Sequence, residues 1–207
     1  MIFFTLNTHL ALRRSLLVAF TMVLSGCAAV QPPQLIKEPA RGERIDISRL
    51  NVAIFPPNIR PPGGSQVAGA EGMLPLIGPA SVEVRSELIN QLPQLLANAN
   101  MAVESKKIYS TPGRNVDLPA EFSNANAGTF FLTVFEVGSK AVCPIFFGNC
   151  GISTKYQVNL ARAGEQALWS ALFVFDTGAL SSVNAEYVRV NLITPIAQEV
   201  IRVSQSK

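Results

Sequence analysis

The segment from Gly128 onward constrains the fold of this chain more than any other, because it has the pattern of a strand with two apolar faces. Its sequence, TFFLTVFEVGSK, spans residues 129–140. One face carries Phe130, Leu132 and Val134, and the other carries Phe131, Thr133, Phe135 and Val137. Because both faces of such a strand have to be covered, we expect it at the centre of a sheet.

The remaining pattern predicts strands and helices in a mixed order. The predicted strands are 49–55, 101–109, 153–163 and 167–176, and the predicted helical segments are 80–99, 118–122 and 186–204. The helix at 80–99 carries an apolar stripe of Val84, Leu88, Leu92, Leu95 and Leu96, and Pro93 is expected to kink or end it. Residues 56–79 hold six Pro and five Gly, which predicts a long irregular loop. This order predicts an α+β fold, in which a mixed sheet contains an antiparallel meander and the helices pack on one side.

The N-terminal segment has the pattern of an export signal. Arg13 and Arg14 precede a ten-residue apolar run, SLLVAFTMVL, which is too short to span a bilayer. The run ends in Leu24-Ser25-Gly26-Cys27, which resembles the lipobox of bacterial lipoproteins. The resemblance implies that residues 1–26 are a cleaved signal peptide and that Cys27 becomes the lipidated first residue. The alternative is an uncleaved N-terminal helix with an incidental cysteine.

The residues after Cys27 bear on where the protein resides. Ala28 follows the cysteine, and by the sorting rule of such lipoproteins in Gram-negative bacteria the absence of Asp implies the outer membrane, with the protein facing the periplasm. Residues 27–48 are predicted to be the acylated cysteine and a flexible tether broken by prolines, which could stretch to roughly 65–70 Å. Residues 49–207 are predicted to form a single periplasmic domain, attached to the membrane through its lipid anchor.

Loss of the signal peptide changes the charge and the available chemistry. Of 207 residues, 17 are Lys or Arg and 14 are Asp or Glu, and residues 1–26 hold two of the basic residues. The net charge therefore falls from +3 to +1, since 15 basic residues remain against 14 acidic ones. A nearly neutral domain gives no electrostatic reason to expect nucleic acid as a partner. Because His9 is the single histidine, we also expect no histidine-based catalysis and no histidine-ligated metal.

The other two cysteines, Cys143 and Cys150, enclose a short loop, CPIFFGNC. An exported compartment permits disulfides, so we predict a Cys143–Cys150 disulfide. A metal site is the alternative, but two thiols without a histidine make a poor zinc set. A redox pair is a further alternative, although the spacing is not C-x-x-C.

Two adjacent aromatic residues, Phe146 and Phe147, lie at the tip of this loop. An apolar pair in a tied, exposed loop is a candidate partner-binding point. The alternative is that both side chains fold back onto the core. The sequence leaves the two interpretations open.

Several segments together resemble the domain of the curli-secretion lipoproteins, a fold that the penicillin-binding-protein activator lipoproteins share. These segments are the lipobox, NVAIFP, the amphipathic helix, TFFLTVFEV and YQVNLARAGEQALWSALF. The resemblance covers roughly residues 50–205 in the order of the elements. It implies a non-catalytic protein that binds another component of the cell envelope.

Catalytic motifs give little support to an enzyme. Glu136 and Asp176 lie on predicted strands and could form an acid pair, although solvated carboxylates are the commoner case. Trp169 could line a ligand groove, although a packed core position is favoured. We therefore predict a non-catalytic binding or accessory lipoprotein without cofactor or metal, with an envelope protein as its partner. The alternative is a carrier of a small lipid or cell-wall fragment, or an enzyme that acts on the cell wall.

Overall fold

The computed structural model describes residues 30–40, 45–57, 59, 79–109, 116–126, 128–142, 151–177 and 183–205. The chain divides into two compact units, Met1–Val30 and Gln31–Lys207, and every helix and strand of the described residues lies in the second. The strands are β1 (Gln34–Lys37), β2 (Arg49–Ile54), β3 (Ala102–Lys107), β4 (Phe130–Val142), β5 (Gly151–Arg162) and β6 (Trp169–Asp176). The helices are α1 (Pro79–Ala97), α2 (Leu118–Glu121), α3 (Ala185–Val188) and α4 (Thr194–Gln205), with a π-helical turn at Arg189–Ile193 between α3 and α4.

The six strands form one mixed sheet in the order β1-β6-β5-β4-β2-β3. β4 has neighbours on both sides, an antiparallel one in β5 and a parallel one in β2. The central position predicted from its two apolar faces is therefore confirmed. β4, β5 and β6 form the antiparallel meander, and β2 and β3 add a parallel pair. The α+β class and the mixed sheet are both as predicted.

The main apolar core lies between one face of the sheet and the long helices. The stripe of α1 faces it, with Val84 2% exposed and Leu88, Leu92 and Leu96 fully buried. Leu132 and Val158 contribute from the sheet, and Ile196 and Val200 contribute from α4. α1, α3 and α4 therefore cover one face of the sheet, as predicted for the long helices, whereas the short helix predicted at 118–122 packs on the other face.

A smaller apolar cluster lies on the other face of the sheet. Phe55 and Phe135 stack with ring centroids 4.4 Å apart, and Phe122 meets Phe131 edge-on at 5.8 Å. Leu118 of the single-turn helix α2 packs against this cluster. The two clusters explain why both faces of β4 are apolar.

The prediction of a flexible tether over 27–48 is wrong for two described stretches, 34–37 and 45–47. Gln34–Lys37 form β1, which pairs antiparallel with β6, and Ile45 and Ile47 are buried in the main core. The sequence does not reveal β1, because a four-residue strand between Pro33 and Pro39 has no readable apolar alternation. Its pairing partner lies more than 130 residues later in the chain.

Pro93 does not end α1, which continues to Ala97. A proline inside a helix leaves the carbonyl four residues earlier without its usual N–H donor. Here that carbonyl belongs to Ile89, and the hydroxyl of Ser105 on β3 donates to it at 3.2 Å. The neighbouring strand therefore replaces the hydrogen bond that Pro93 removes.

The C-terminal helix predicted at 186–204 is present over residues 185–205, with a π-helical turn in its middle. α3 begins after Asn184, whose side chain accepts a hydrogen bond from the backbone N–H of Tyr187 at 2.8 Å. The π-helical turn follows, and α4 begins at Thr194, so Pro195 lies in the first turn of α4. The backbone N–H of Thr194 donates to the carbonyl of Arg189, so α4 continues the π-helical turn, and Pro195 lies within one continuous helical segment.

Candidate functional site

The residues that the sequence analysis predicts as site residues lie outside the described part of the chain. These are the lipidation residue Cys27, the cysteines Cys143 and Cys150, and the aromatic pair Phe146 and Phe147. The lipidation, the disulfide and the partner-binding role therefore stay predictions. The described residues nearest the loop are Val142 and Gly151, which form the last pair of the β4–β5 ladder.

The strand directions bring several strand ends to one end of the sheet. β2, β3, β4 and β6 run parallel to one another, so their carboxyl ends point the same way. β2 accompanies β4 only as far as Val134, after which β4 continues for eight residues to Val142. Eight strand residues rise about 26 Å. The β4–β5 ladder therefore extends well beyond the end of β2, and residues 143–150 connect its two strands.

A polar cluster lies on the helix-facing side of this hairpin. Glu136 is only 4% exposed, and the hydroxyl of Ser139 donates to its Oε1 at 3.2 Å. The hydroxyls of Ser139 and Thr154 are 3.0 Å apart. The hydrogen bond between Ser139 and Glu136 depends on a β-bulge between Glu136 and Gly138. The extra residue of the bulge places Ser139 on the same face of the sheet as Glu136. The cluster therefore depends on a register shift that alternation in the sequence does not show.

Tyr156 lies opposite Glu136 on β5 and is 2% exposed. Burial raises the pKa of its phenol well above 10.0, and the negative charge of Glu136 raises it further, while the positive charge of Arg85 on α1 opposes the shift. A carboxylate, a phenol and a guanidinium therefore act on one another where α1 covers the hairpin. The sequence signal for this site is a Glu between the apolar residues Phe135 and Val137.

A second polar group lies on the opposite face of the sheet. The side-chain Oδ1 of Asn159 accepts from Gln157 Nε2 at 3.0 Å and from Ser170 Oγ at 2.5 Å. Thr133 lies beside them and donates to the backbone carbonyl of Asn159 at 3.5 Å. All four residues are buried, and Gln157 Oε1 has no hydrogen-bond partner in the described structure. The row is therefore mostly paired within itself and closed from solvent, and Gln157 Oε1 is left as an acceptor.

The two carboxylates considered as an acid pair do not meet. Glu136 pairs with Tyr156 on the helix-facing side, whereas Asp176 pairs with Ser153, which lies on the other side. Asp176 Oδ2 instead accepts from Gln31 Nε2 at 3.1 Å. The sheet therefore separates these two carboxylates, and the acid-pair alternative is wrong.

Trp169 is a core residue and does not line a groove. It is fully buried in the main cluster, with its ring centroid 6.5 Å from that of Phe173. Within the described ranges, no group of three or more His, Cys, Asp or Glu residues is placed to hold a metal ion. No helix within those ranges is long and apolar enough to cross a membrane.

Comparisons with known proteins give distant likenesses to solved structures. No protein-family model and no curated protein matches the sequence. The PelC dodecamer from Paraburkholderia phytofirmans matches with 10% identity over 81% of this chain and 97% of that chain, at a TM-score of 0.43. A DUF330 protein from Xanthomonas campestris matches with 12% identity over 84% and 90% of the two chains, at a TM-score of 0.31. A protein described as a neuraminyllactose-binding hemagglutinin homolog from Helicobacter pylori matches with 14% identity over 82% and 92%, at a TM-score of 0.33. The resemblance to curli-secretion and penicillin-binding-protein activator lipoproteins stays a prediction.

Proposed function

We propose that this protein is a lipid-anchored component of the outer membrane that faces the periplasm and acts as a non-catalytic binding or accessory protein of the cell envelope. The observation that carries the proposal is the position of Cys27, directly after a ten-residue apolar run and Leu24-Ser25-Gly26. A single acyl chain binds membranes only marginally, so stable anchoring needs the several chains that such a cysteine carries.

The geometry favours the end of the β4–β5 hairpin as the binding surface for an envelope protein. The hairpin continues past β2, and residues 143–150 connect its strands, with Phe146 and Phe147 at the centre of that segment. Aromatic side chains are enriched in the centres of protein interfaces, where they bury a large area. The separation of Glu136 from Asp176 by the sheet supports a binding role over an acid-pair enzyme.

The anchor is tested by labelling cells with radioactive palmitate. We expect incorporation into the wild type and into Cys143→Ala, and none into Cys27→Ala. The control variant removes a thiol of the same chain without touching the lipobox. Incorporation into Cys27→Ala at the wild-type level would show that the lipid is attached elsewhere and that the lipobox interpretation is wrong.

The binding surface is tested by placing a photo-crosslinking amino acid at Phe146, at Phe147 and at Gln94, which is exposed on α1. We expect the same envelope protein to crosslink from both phenylalanine positions and not from Gln94. Its co-purification should be lost in the Phe146→Ala, Phe147→Ala double variant. Equal crosslinking from all three positions, or co-purification that survives the double variant, would contradict the proposed surface.

A second candidate function, carriage of a small cell-wall or lipid fragment, is favoured by the amide row of Gln157, Asn159 and Ser170. Buried amides usually have partners, and the unpartnered Oε1 of Gln157 is an acceptor that a ligand N–H or O–H could satisfy. We expect soluble peptidoglycan fragments to raise the melting temperature of the wild type and not that of Gln157→Leu. A melting temperature that rises in neither protein, or equally in both, would contradict this second function.

A further inference from the structure

The edge strand β1 carries two large apolar side chains that the fold does not bury. Leu35 is 44% exposed and Ile36 is 45% exposed. Ile36 lies at a register shift, between the pairs Leu35–Ala171 and Lys37–Ser170. Neither side chain belongs to the main core or to the smaller cluster on the other face. β1 is therefore held mainly by backbone pairing with β6, and nearly half of each of these two apolar side chains stays exposed.

The chain between Cys27 and β1 is short. Leu35 follows Cys27 by eight residues, which span at most about 28 Å when fully extended. As a coil, eight residues average nearer 15 Å. With acyl chains on Cys27, the covalent chain alone therefore keeps β1 within a few tens of ångströms of the lipid headgroups.

We propose that β1 lies on the membrane surface, with Leu35 and Ile36 inserted into the interfacial region of the leaflet that holds the acyl chains. The proposal rests on the proposed function, because it requires lipid at Cys27. Interfacial apolar groups bury about 5–10 Å into the boundary between headgroups and acyl chains, which is within reach of side chains on an exposed edge strand. The contact would add a second attachment to the membrane beside the acyl chains.

The charged neighbours of β1 are engaged within the chain. The ammonium group of Lys37 donates to the backbone carbonyl of Ala167. The pKa of Arg202 is raised first by its hydrogen bond with Glu199, and the charge of Glu38 adds to the shift, so Glu38 lies near α4. The membrane contact therefore depends on Leu35 and Ile36, and we expect it on zwitterionic lipid without anionic headgroups.

The opposite edge of the sheet provides a matched control. β3 is five strand spacings from β1, or about 24 Å. Ala102 is exposed at the start of β3. A residue there should stay in water when β1 contacts the membrane.

The test uses the full acylated chain in phosphatidylcholine vesicles that contain lipids with brominated acyl chains, which quench nearby tryptophan. The variants are Leu35→Trp and Ala102→Trp, and the buried Trp169 gives the same background in both. We expect the added emission of Leu35→Trp to be quenched roughly threefold more strongly than that of Ala102→Trp, because only β1 reaches the interface. Equal quenching, or an unquenched Leu35→Trp, overturns the proposal.

Two further measurements distinguish failure of the β1 membrane contact from failure of the lipid anchor. Palmitate incorporation reports on Cys27 alone, and flotation with the vesicles reports on membrane attachment as a whole. A protein that is acylated and floats but leaves Leu35→Trp unquenched refutes the membrane contact and leaves the proposed function standing. Equal quenching of Leu35→Trp and Ala102→Trp, together with dimerisation through β1, would show that β1 binds a second copy of the chain and would overturn the membrane contact. A protein that is not acylated refutes both.

Discussion

At the scale of single residues, the buried polar side chains distinguish this domain from a purely apolar one. Asn51 is fully buried on β2, and both atoms of its side-chain amide lack a hydrogen-bond partner in the described structure. Asn159, by contrast, accepts two side-chain hydrogen bonds. An unpaired buried polar group costs about 1–3 kcal/mol, whereas a paired one is close to neutral or favourable. The same residue type therefore has opposite effects on stability at the two positions.

Replacing Asn51 by Leu should raise the free energy of unfolding by about 1–3 kcal/mol, because it removes two unpaired groups at similar volume. Asn159→Leu is the matched control. It should lower the free energy of unfolding by a similar amount, since Gln157 and Ser170 lose their shared acceptor. Urea unfolding followed by the fluorescence of Trp169 measures both. A destabilised Asn51→Leu would mean that the amide has a partner in the working protein.

Tyr156 predicts how stability depends on pH. Its pKa in the folded state lies above the ordinary 10.0, chiefly because of burial. The neutral phenol therefore contributes stability that is complete below pH 10 and is lost as the pH rises toward the folded-state pKa. Between pH 9 and 11, the free energy of unfolding of the wild type should fall more steeply than that of Tyr156→Phe, by up to about 1.4 kcal/mol per pH unit.

The control for this pH effect is Tyr109→Phe, since the Tyr109 side chain is 88% exposed. Tyr109→Phe removes a phenol of the same chain and leaves Tyr156 in place. Equal slopes for Tyr156→Phe and the wild type in urea titrations across this range would show that Tyr156 does not ionise in the unfolding reaction.

At the scale of elements, most long segments could be predicted because their signal is local. The apolar alternation of β4 and β5 and the leucine stripe of α1 follow from the two periods of regular structure. Strand and helix ends differed by only a few residues. β1 could not be predicted, since Gln34–Lys37 bury none of their side chains and depend on backbone pairing with a distant strand. The bulge that joins Ser139 to Glu136 was missed because it, too, is set by the register against another strand.

The coupling of α1 to β3 gives a prediction for a pair of elements. Ser105→Ala should lower the free energy of unfolding by about 1 kcal/mol, because the Ile89 carbonyl loses its donor. In a Pro93→Ala background the loss should fall close to zero, since residue 93 then supplies the helical N–H. Urea unfolding of the wild type, both single variants and the double variant measures this coupling. An equal loss in both backgrounds would show that the Ser105 bond does not compensate for Pro93.

At the scale of the whole molecule, the main core joins distant parts of the chain. It includes Ile45 before β2, Leu92 of α1, Trp169 of β6 and Val203 of α4. One shared core makes the unit Gln31–Lys207 a candidate for cooperative, two-state unfolding. The far-ultraviolet circular dichroism signal and Trp169 fluorescence should therefore lose their native values at the same urea concentration.

A variant far from Trp169 in the sequence tests this cooperativity. Ile196 is fully buried, and Ile196→Ala should lower the free energy of unfolding by about 2–5 kcal/mol through both signals. Gln198 is exposed on the same helix, and Gln198→Ala should change it by less than about 0.5 kcal/mol. Separate midpoints for the two signals in Ile196→Ala would show that α4 unfolds independently of the sheet.

The sequence by itself determined the α+β class, the central place of β4 and the core face of α1. Each of these depends on neighbouring residues or on one short period, so no long-range contact is needed to infer it. Only the tertiary structure decided that Gln34–Lys37 form a strand and that Glu136 and Asp176 lie on opposite faces of the sheet. It also decided that Ser105 donates a hydrogen bond to the Ile89 carbonyl, which Pro93 leaves without a helical donor. These outcomes depend on strand register and on side chains from distant segments, and a local pattern contains neither.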